Sequence, residues 1–159
     1  MVDRTTDKFY TTRPRAGRDS FRIADGVTVA AGTLVQSQVG YANHWDDSAE
    51  PFLGLVIGGD DRAGAGVIIG EVTDSPMPDV HVDTSGAILT GLTVNGTPTR
   101  AKVGDYVYCV DSDPDNITLN SSGRTSVIGW MVRYVSTTSQ EVQLFTPAEW
   151  MAYNIESPN

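Results

Sequence analysis

The chain has little cysteine and no long apolar run. Cys109 is the single cysteine among 159 residues, which excludes an internal disulfide. It lies in the apolar run 106–110, so we expect a buried thiol that acts as a small hydrophobic side chain rather than as a nucleophile. No run approaches the roughly 18 apolar residues of a membrane-spanning helix. Residues 1–10 are polar, and we therefore expect neither a membrane segment nor a secretory signal.

Local signatures of catalysis are also missing. The two histidines are His44 and His81, and no serine lies in a G-x-S-x-G sequence. His81 alternates with Asp79 and Asp83, which predicts a solvated strand face around it. The glycines of residues 64–70 do not have the spacing of a dinucleotide-binding loop. We expect no enzymatic activity and no cofactor, although a hydrolase triad assembled from distant residues stays open as an alternative.

Positive charge is scarce outside the N-terminal region. The net charge is −9, yet residues 1–22 hold six basic and three acidic side chains, and the rest of the chain holds five basic and 17 acidic ones. The acidic body repels nucleic acid phosphates. A basic segment on such a body predicts an arm that reaches a separate partner. The candidate contact residues of this arm are Arg4, Lys8, Arg13, Arg15 and Arg18.

Short runs of β-forming residues, separated by turn formers, fill most of the chain. Val, Ile, Thr and Tyr dominate the runs, and 16 glycines serve the turns between them. This pattern predicts an all-β fold, with a compact β-sandwich or barrel-like body over residues 20–159. Residues 1–19 lack the pattern, and we expect an extended N-terminal arm there. The pairs Asp25-Gly26 and Asn95-Gly96 predict type I′ hairpin turns.

Only the C-terminal segment has the features of a helix. Thr146 provides an N-cap, Pro147 follows at the first helical position and Glu149 at the third, which predicts a short helix at about residues 147–153. Its large apolar residues are more than one small sheet would cover. We therefore expect these residues to pack on the sheet or on a neighbouring subunit, with Trp150, Met151 and Tyr153 as the candidate contacts.

One acidic segment resembles part of a calcium-binding loop. Asp111, Asp113 and Asp115 occupy alternate positions, as ligands do in the first half of such a loop. However, the sixth position is Asn116 rather than glycine, and the twelfth is Ser122 rather than glutamate. We interpret the segment as a solvated acidic turn and keep the three aspartates as a weak metal candidate. One cysteine and two distant histidines argue against zinc.

Four stretches, in their order along the chain, resemble the capsid cement (head decoration) proteins of tailed phages. They are VAAGTLV at 29–35, PFLGLV at 51–56, VGDYVYCV at 103–110 before Asp113-Pro114, and SVIGWMV at 126–132 with EVQLF at 141–145. The resemblance spans residues 27–145. The arm before residue 20 and the tail after residue 146 depart from it.

The resemblance implies a non-enzymatic β-rich virion protein, made in the host cytoplasm and bound to the outer surface of a phage capsid. Such a protein bridges major capsid protein subunits, stabilises the shell and assembles with itself as a homotrimer, with no nucleic acid or membrane partner. An alternative is a carbohydrate-binding β-sandwich on the virion surface, with Tyr41, Trp45 or Trp130 as the platform for a glycan.

Overall fold

The computed structural model describes residues 12–13, 19–24, 26–59, 67–69 and 79–156. Within these ranges the chain forms twelve β-strands. The first six are β1 (Thr12–Arg13), β2 (Asp19–Arg22), β3 (Thr28–Ala30), β4 (Leu34–Gln38), β5 (Tyr41–His44) and β6 (Phe52–Gly59). The others are β7 (Val67–Ile69), β8 (Asp79–Asp83), β9 (Ile88–Leu92), β10 (Tyr106–Val107), β11 (Gly129–Ser136) and β12 (Ser139–Leu144).

Helical structure among the described residues is limited to short segments. Arg100–Lys102 and Pro114–Asn116 are 3₁₀ turns, Pro147–Met151 forms the α-helix α1, and Ala152–Glu156 continues it as one π-helical turn. No helix in the described ranges has both the length and the hydrophobicity needed to cross a membrane.

The strands form antiparallel sheets. Sheet A has the order β1-β9-β12-β11-β10, sheet B has the order β2-β8-β6-β4-β5, and β3 pairs with β7 alone. The predicted all-β fold is therefore confirmed. Strands β1 and β2 lie close together in the sequence, yet they belong to different sheets.

Sheet B closes on itself like a small barrel. Ile23, which follows β2 directly, forms a bridge with Ala42 on β5, at the other end of the strand order. The amide of Ala24 also donates to the carbonyl of Ala42 at 3.0 Å. The closed sheet surrounds one apolar cluster to which every one of its strands or their extensions contributes. The cluster contains Ile23, Val29, Val35, Ala42, Leu53, Val56, Val80 and Val82.

The main core lies between the two sheets. Sheet B contributes Leu34, Phe52 and Leu55, and sheet A contributes Leu89, Met131, Val142 and Leu144. Because β6 is buried on both faces, its sequence is a continuous apolar run instead of an alternating one. Trp45 lies within this core, where its indole nitrogen donates to the carbonyl of Cys109 at 2.7 Å.

Two glycines permit close approach of neighbouring strands. A Cβ atom on Gly54 would lie 2.1 Å from the carbonyl oxygen of Asp83, and one on Gly129 would lie 2.1 Å from that of Gln143. Both distances are far below van der Waals contact, so any side chain would push the paired strands apart. These glycines hold β6 against β8 and β11 against β12.

The strands on either side of the two predicted hairpin turns do not pair with each other. The amide of Val27 donates to the carbonyl of Ala24 at 3.2 Å, so a turn is present. However, β2 pairs with β8 and β3 pairs with β7, and Asp25 itself lies outside the described residues. The Asn95-Gly96 hairpin prediction is wrong. Positive φ angles occur at Gly96 and Thr97 rather than at Asn95.

The reason is a competing long-range contact. The amide of Asn95 donates to the carbonyl of Ile117, and its carbonyl accepts from the amide of Leu119, both at 2.9 Å. The backbone groups of Asn95 are therefore satisfied by a segment more than 20 residues away. No local strand partner is needed, so the chain continues into a loop and the 3₁₀ turn Arg100–Lys102.

Candidate interaction surface

The C-terminal helix is fixed at its start by its cap. The hydroxyl of Thr146 accepts from the amide of Glu149, and the carboxylate of Glu149 accepts from the amide of Thr146, both at 3.1 Å. This reciprocal pair is the capping box that the sequence predicts. Pro147 occupies the first turn, as expected. The helix start is confirmed, and α-helix ends at Met151 before the π-helical turn.

Trp150 anchors this helix to the core. Its side chain is fully buried and makes an edge-to-face contact with Trp45, with ring centroids 6.4 Å apart. A buried indole offers no surface to a partner, so we assign Trp150 to the core and not to a contact surface. Truncating such a ring costs about 3–5 kcal/mol of folding free energy, and Trp150→Ala would therefore test folding instead of assembly.

A second anchor lies one turn further on. The side chain of Asn154 accepts from the amide of Val127 at 2.8 Å and donates to the carbonyl of Val127 at 2.9 Å. It also donates to the carbonyl of Trp150 at 2.9 Å. These bonds fix the π-helical turn against the segment that leads into β11. The side chains on its outer side are therefore held in place.

The other aromatic residues of this region form an exposed surface. Tyr153 stacks on the buried Phe145 at 4.9 Å, and Tyr106 meets both rings edge-on, at 5.7 Å from Tyr153 and 6.4 Å from Phe145. Tyr106 remains 41% exposed and Tyr153 remains 44% exposed. Met151 and Ile155, four residues apart on the same segment, are also exposed. Met151 and Ile155 lie about half a turn around the helical segment from Tyr153. We name the exposed residues Tyr106, Met151, Tyr153 and Ile155 the C-terminal surface.

Tyr106 was not among the residues that the sequence pattern singled out. A signal for it exists, because β10 alternates between the exposed Tyr106 and the buried Val107. A tyrosine on the outward side of an edge strand is a contact candidate. Its proximity to Tyr153, which lies 47 positions later, is visible only in the fold.

The acidic segment 111–116 is a tightly bonded turn. One carboxylate oxygen of Asp111 accepts from the amide of Asp113 at 3.0 Å, and the other accepts from the side chain of Asn116 at 2.9 Å. Asp113 caps the 3₁₀ turn by accepting from the amide of Asp115 at 3.0 Å. Asp111 is buried. Its two oxygens serve the loop backbone and Asn116, which is the turn role that we expected. The burial of Asp111 and Ser112 differs from the solvated turn that the sequence predicts.

Metal ligands do not converge in the described ranges. No group of three or more His, Cys, Asp or Glu side chains there is arranged to hold an ion. The thiol of Cys109 is buried and donates to the carbonyl of Asp111 at 3.1 Å. Burial raises the pKa of Cys109 to about 12, so at neutral pH this residue is a thiol and a poor nucleophile.

Each histidine has a serine beside it. His44 Nδ1 lies 2.9 Å from the hydroxyl of Ser112, and its Nε2 lies 2.6 Å from the carbonyl of Thr28. Since Ser112 is fully buried, a substrate has no access to its hydroxyl. His81 Nδ1 lies 2.9 Å from the hydroxyl of Ser20, its directly paired residue across β2 and β8. Both contacts join strands or loops, and neither favours the hydrolase alternative.

The proposed glycan platform loses one of its two tryptophans. Trp45 is fully buried in the main core, with Phe52 edge-on at 5.3 Å. Trp130 is partly covered and packs edge-on against Phe145 at 5.6 Å. Only Tyr41 of the three is exposed, at 40%. A single exposed tyrosine offers one stacking face, which gives the carbohydrate-binding alternative little support.

Most of the predicted arm lies outside the described residues. These include Arg4, Lys8, Arg15 and Arg18, while Arg13 is described as part of β1. β1 pairs with β9, through Thr12 with Leu89 and Arg13 with Ile88. The arm and its role in contacting a partner stay predictions.

Comparison with known proteins gives a likeness of fold. No protein-family model matches the chain, and no curated protein sequence matches it. Among solved structures, a chain from the structure described as "The capsid of Myoviridae Phage XM1" is similar, with a TM-score of 0.50 and 17% sequence identity. The match covers 91% of this chain and 92% of that chain. The two chains therefore share a fold over nearly their whole lengths.

Proposed function

We propose that this protein is a structural component of a phage virion that binds the outer surface of the capsid. There it bridges neighbouring major capsid protein subunits and stabilises the shell, as a homotrimer. The observation that carries the proposal is the shared fold with a chain of the phage XM1 capsid structure, which extends over 91% of this chain. The four sequence stretches that resemble cement proteins support the same proposal, because their order along the chain does not depend on the fold comparison.

The architecture suits a mechanical role. Sheet B is closed by the Ile23–Ala42 bridge, and its outer face shares a core with sheet A. A body of this kind resists deformation because the end strands of sheet B are joined to each other and its interior is close-packed. Many modest contacts, repeated over a shell, hold firmly through avidity even when each contact is weak.

The C-terminal surface is the proposed contact region of the body. Tyr106 and Tyr153 are half-exposed rings that pack against the buried ring of Phe145. Tyrosine is enriched at protein interfaces because it combines a large apolar area with a polar tip and little conformational entropy. Met151 adds an adaptable apolar side chain. We propose that this surface contacts a capsid subunit or a neighbouring copy.

A reconstitution assay tests the function. Purified protein is added to shells of the encoding phage that were assembled without it, and bound protein is measured by sedimentation. We expect saturable binding and a higher temperature of shell disruption, together with a trimer mass for the bound or free protein. Shells that bind no protein, or that bind it with unchanged thermal resistance, would contradict the proposed role.

The contact surface is tested with matched variants. We expect Met151→Ser/Tyr153→Ser to weaken shell binding at least about tenfold, equal to about 1.4 kcal/mol. Tyr41→Ser is the control, since Tyr41 has similar exposure but lies on β5 in the other sheet. It should bind as the wild type does. Melting curves establish that both variants are folded, and equal binding by both would reject the C-terminal surface as the contact.

A further inference from the structure

Strand β11 extends beyond its neighbour at the edge of sheet A. β10 has two residues, which pair with Trp130 and Gly129, and the last bonds on this side join Met131 to Gly104 and Asp105. β11 continues to Ser136. In the part of the chain that the structure describes, residues 132–136 have backbone partners on β12 alone. Among the described residues, their outer side is therefore a strand edge without a partner.

An open depression of about 500 Å³ lies along this edge. It is lined by Arg100, Val103, Val132, Arg133, Tyr134 and Val135. Val103 and Val135 are exposed apolar side chains, and they can cover the apolar residues of an added strand. The guanidinium of Arg100 lies over the ring of Tyr134, 5.7 Å from its centroid. This contact holds the positive charge next to the strand edge.

Positive charge is concentrated here on an otherwise acidic body. The structure describes the side chains of five Lys and Arg residues: Arg22, Arg100, Lys102, Arg124 and Arg133. Three of the five belong to the 3₁₀ turn Arg100–Lys102 or to β11. Arg133 lies 3.8 Å from Glu141, but the Glu141 side chain is nearly buried whereas that of Arg133 is 64% exposed. The charge of Arg133 is therefore largely presented to solvent.

We propose that the outer edge of β11 binds an extended, acidic segment of a partner protein by β-strand addition. The backbone of the segment would bond to residues 132–136. Arg133 and Val135 lie on one face of β11, whereas Arg100 lies over Tyr134 on the other face. Two neighbouring carboxylates of the segment, which point to opposite faces, would pair with the two arginines, and its neighbouring apolar side chains would pack on Val103 and Val135. A second copy of this edge is disfavoured because arginines would face arginines, and the chain's own basic residues 1–18 are disfavoured for the same reason.

The site does not depend on the proposed capsid role, because it can be tested with the isolated protein. The probes are two fluorescein-labelled peptides, Glu-Glu-Val-Val-Glu-Glu-Thr-Thr, which places a carboxylate on each face of an added strand, and its counterpart with lysine at every glutamate. Fluorescence anisotropy should show saturable binding of the acidic peptide, weakened at high salt, and at least tenfold weaker binding of the basic one. Equal binding of both peptides, or binding of neither, would overturn the proposal.

Variants and exchange measurements then locate the site. Arg100→Glu and Arg133→Gln should each weaken binding of the acidic peptide several-fold, whereas Arg22→Glu, on the exposed part of β2 in sheet B, should leave it unchanged. In the wild type, the peptide should slow amide exchange within residues 132–136. An acidic peptide methylated on its backbone nitrogens should bind more weakly. Equal loss in Arg22→Glu, unaltered exchange at 132–136, or full binding by the methylated peptide would each reject strand addition at this edge.

Discussion

Cys109 demonstrates how burial determines the chemistry of a single residue in this protein. Its side chain has no exposed surface, and its thiol donates to the carbonyl of Asp111 within a tight turn. The thiolate would lose its hydration there without gaining a cationic partner, so the pKa rises to about 12 from an ordinary value of 9.0. The folded protein keeps this group neutral over the pH range in which the unfolded chain ionises it.

The consequence is a loss of stability at high pH. Below pH 9 the thiol is neutral in both states and contributes no pH dependence. Between pH 9 and about 12 only the unfolded state ionises, so the free energy of unfolding falls by up to about 1.4 kcal/mol per pH unit. Cys109→Ala lacks this contribution. Denaturant unfolding at pH 8 and pH 10.5 should show a steeper decrease for the wild type than for the variant, and parallel decreases would contradict the assignment.

Burial of individual aromatic residues is what the sequence could not predict. The apolar neighbours of Cys109 predict its burial, because they lie next to it in the sequence. Trp45 and Trp150 are different. Each lies in a polar or mixed segment, and each is buried only because the chain brings the two rings together across 105 positions. Local pattern predicts the face of a strand, whereas contacts between distant loops and helices depend on the whole fold.

The segment 111–116 shows how the carboxylates of a short element can find their hydrogen-bond donors within that element. Its carboxylates accept from amides two residues ahead, at Asp113 and Asp115, and Asn116 occupies the second oxygen of Asp111. The carbonyl of Ser112 also accepts from the amide of Leu34 at 2.9 Å, which ties the turn to β4. The acidic residues thus fix the loop geometry through hydrogen bonds.

Calcium should therefore have no specific effect on this element. A cation that bound only the folded state would raise the melting temperature in a concentration-dependent way. We expect equal melting temperatures in calcium and in chelator at neutral pH. Asp113→Asn should change stability by only about half a kcal/mol. A saturable rise in melting temperature with calcium, lost in Asp113→Asn, would turn this loop into a metal site.

Elements with local determinants were predictable, and elements with distant partners were not. The helix cap at Thr146 depends on residues within four positions of one another, and it forms as predicted. The strand runs are likewise local. The pair Asn95-Gly96 has an equally strong local signal for a hairpin. However, the backbone of Asn95 is hydrogen-bonded to Ile117 and Leu119 instead of to a neighbouring strand. The order of strands in the sheets follows from such pairings, which the alternation of apolar residues does not specify.

For the molecule as a whole, the described N-terminal residues contribute a strand to each of the two sheets. β1 is an edge strand of sheet A and β2 an edge strand of sheet B, so both belong to the folded body, and a deletion through residue 19 would remove β1 and the start of β2. A deletion that ends at residue 11 tests the predicted arm without removing these strands. This boundary leaves Thr12, Arg13 and their pairing with β9 intact.

We expect a protein lacking residues 1–11 to keep the wild-type melting temperature but to bind shells more weakly. The deletion removes Arg4 and Lys8, whose charges act on a partner in the proposed arm. A second variant, with glutamine at Arg13, Arg15 and Arg18, retains the chain length and removes the other three charges. Binding by exposed charges weakens as salt screens them, with a Debye length of about 8 Å at physiological ionic strength. Both variants should therefore bind with a smaller salt dependence than the wild type.

If the deletion binds weakly but the glutamine variant binds normally, the arm acts through its first residues. If both variants bind shells as the wild type does at every salt concentration, the basic N-terminal region has no part in docking, and the contact must come from the folded body alone.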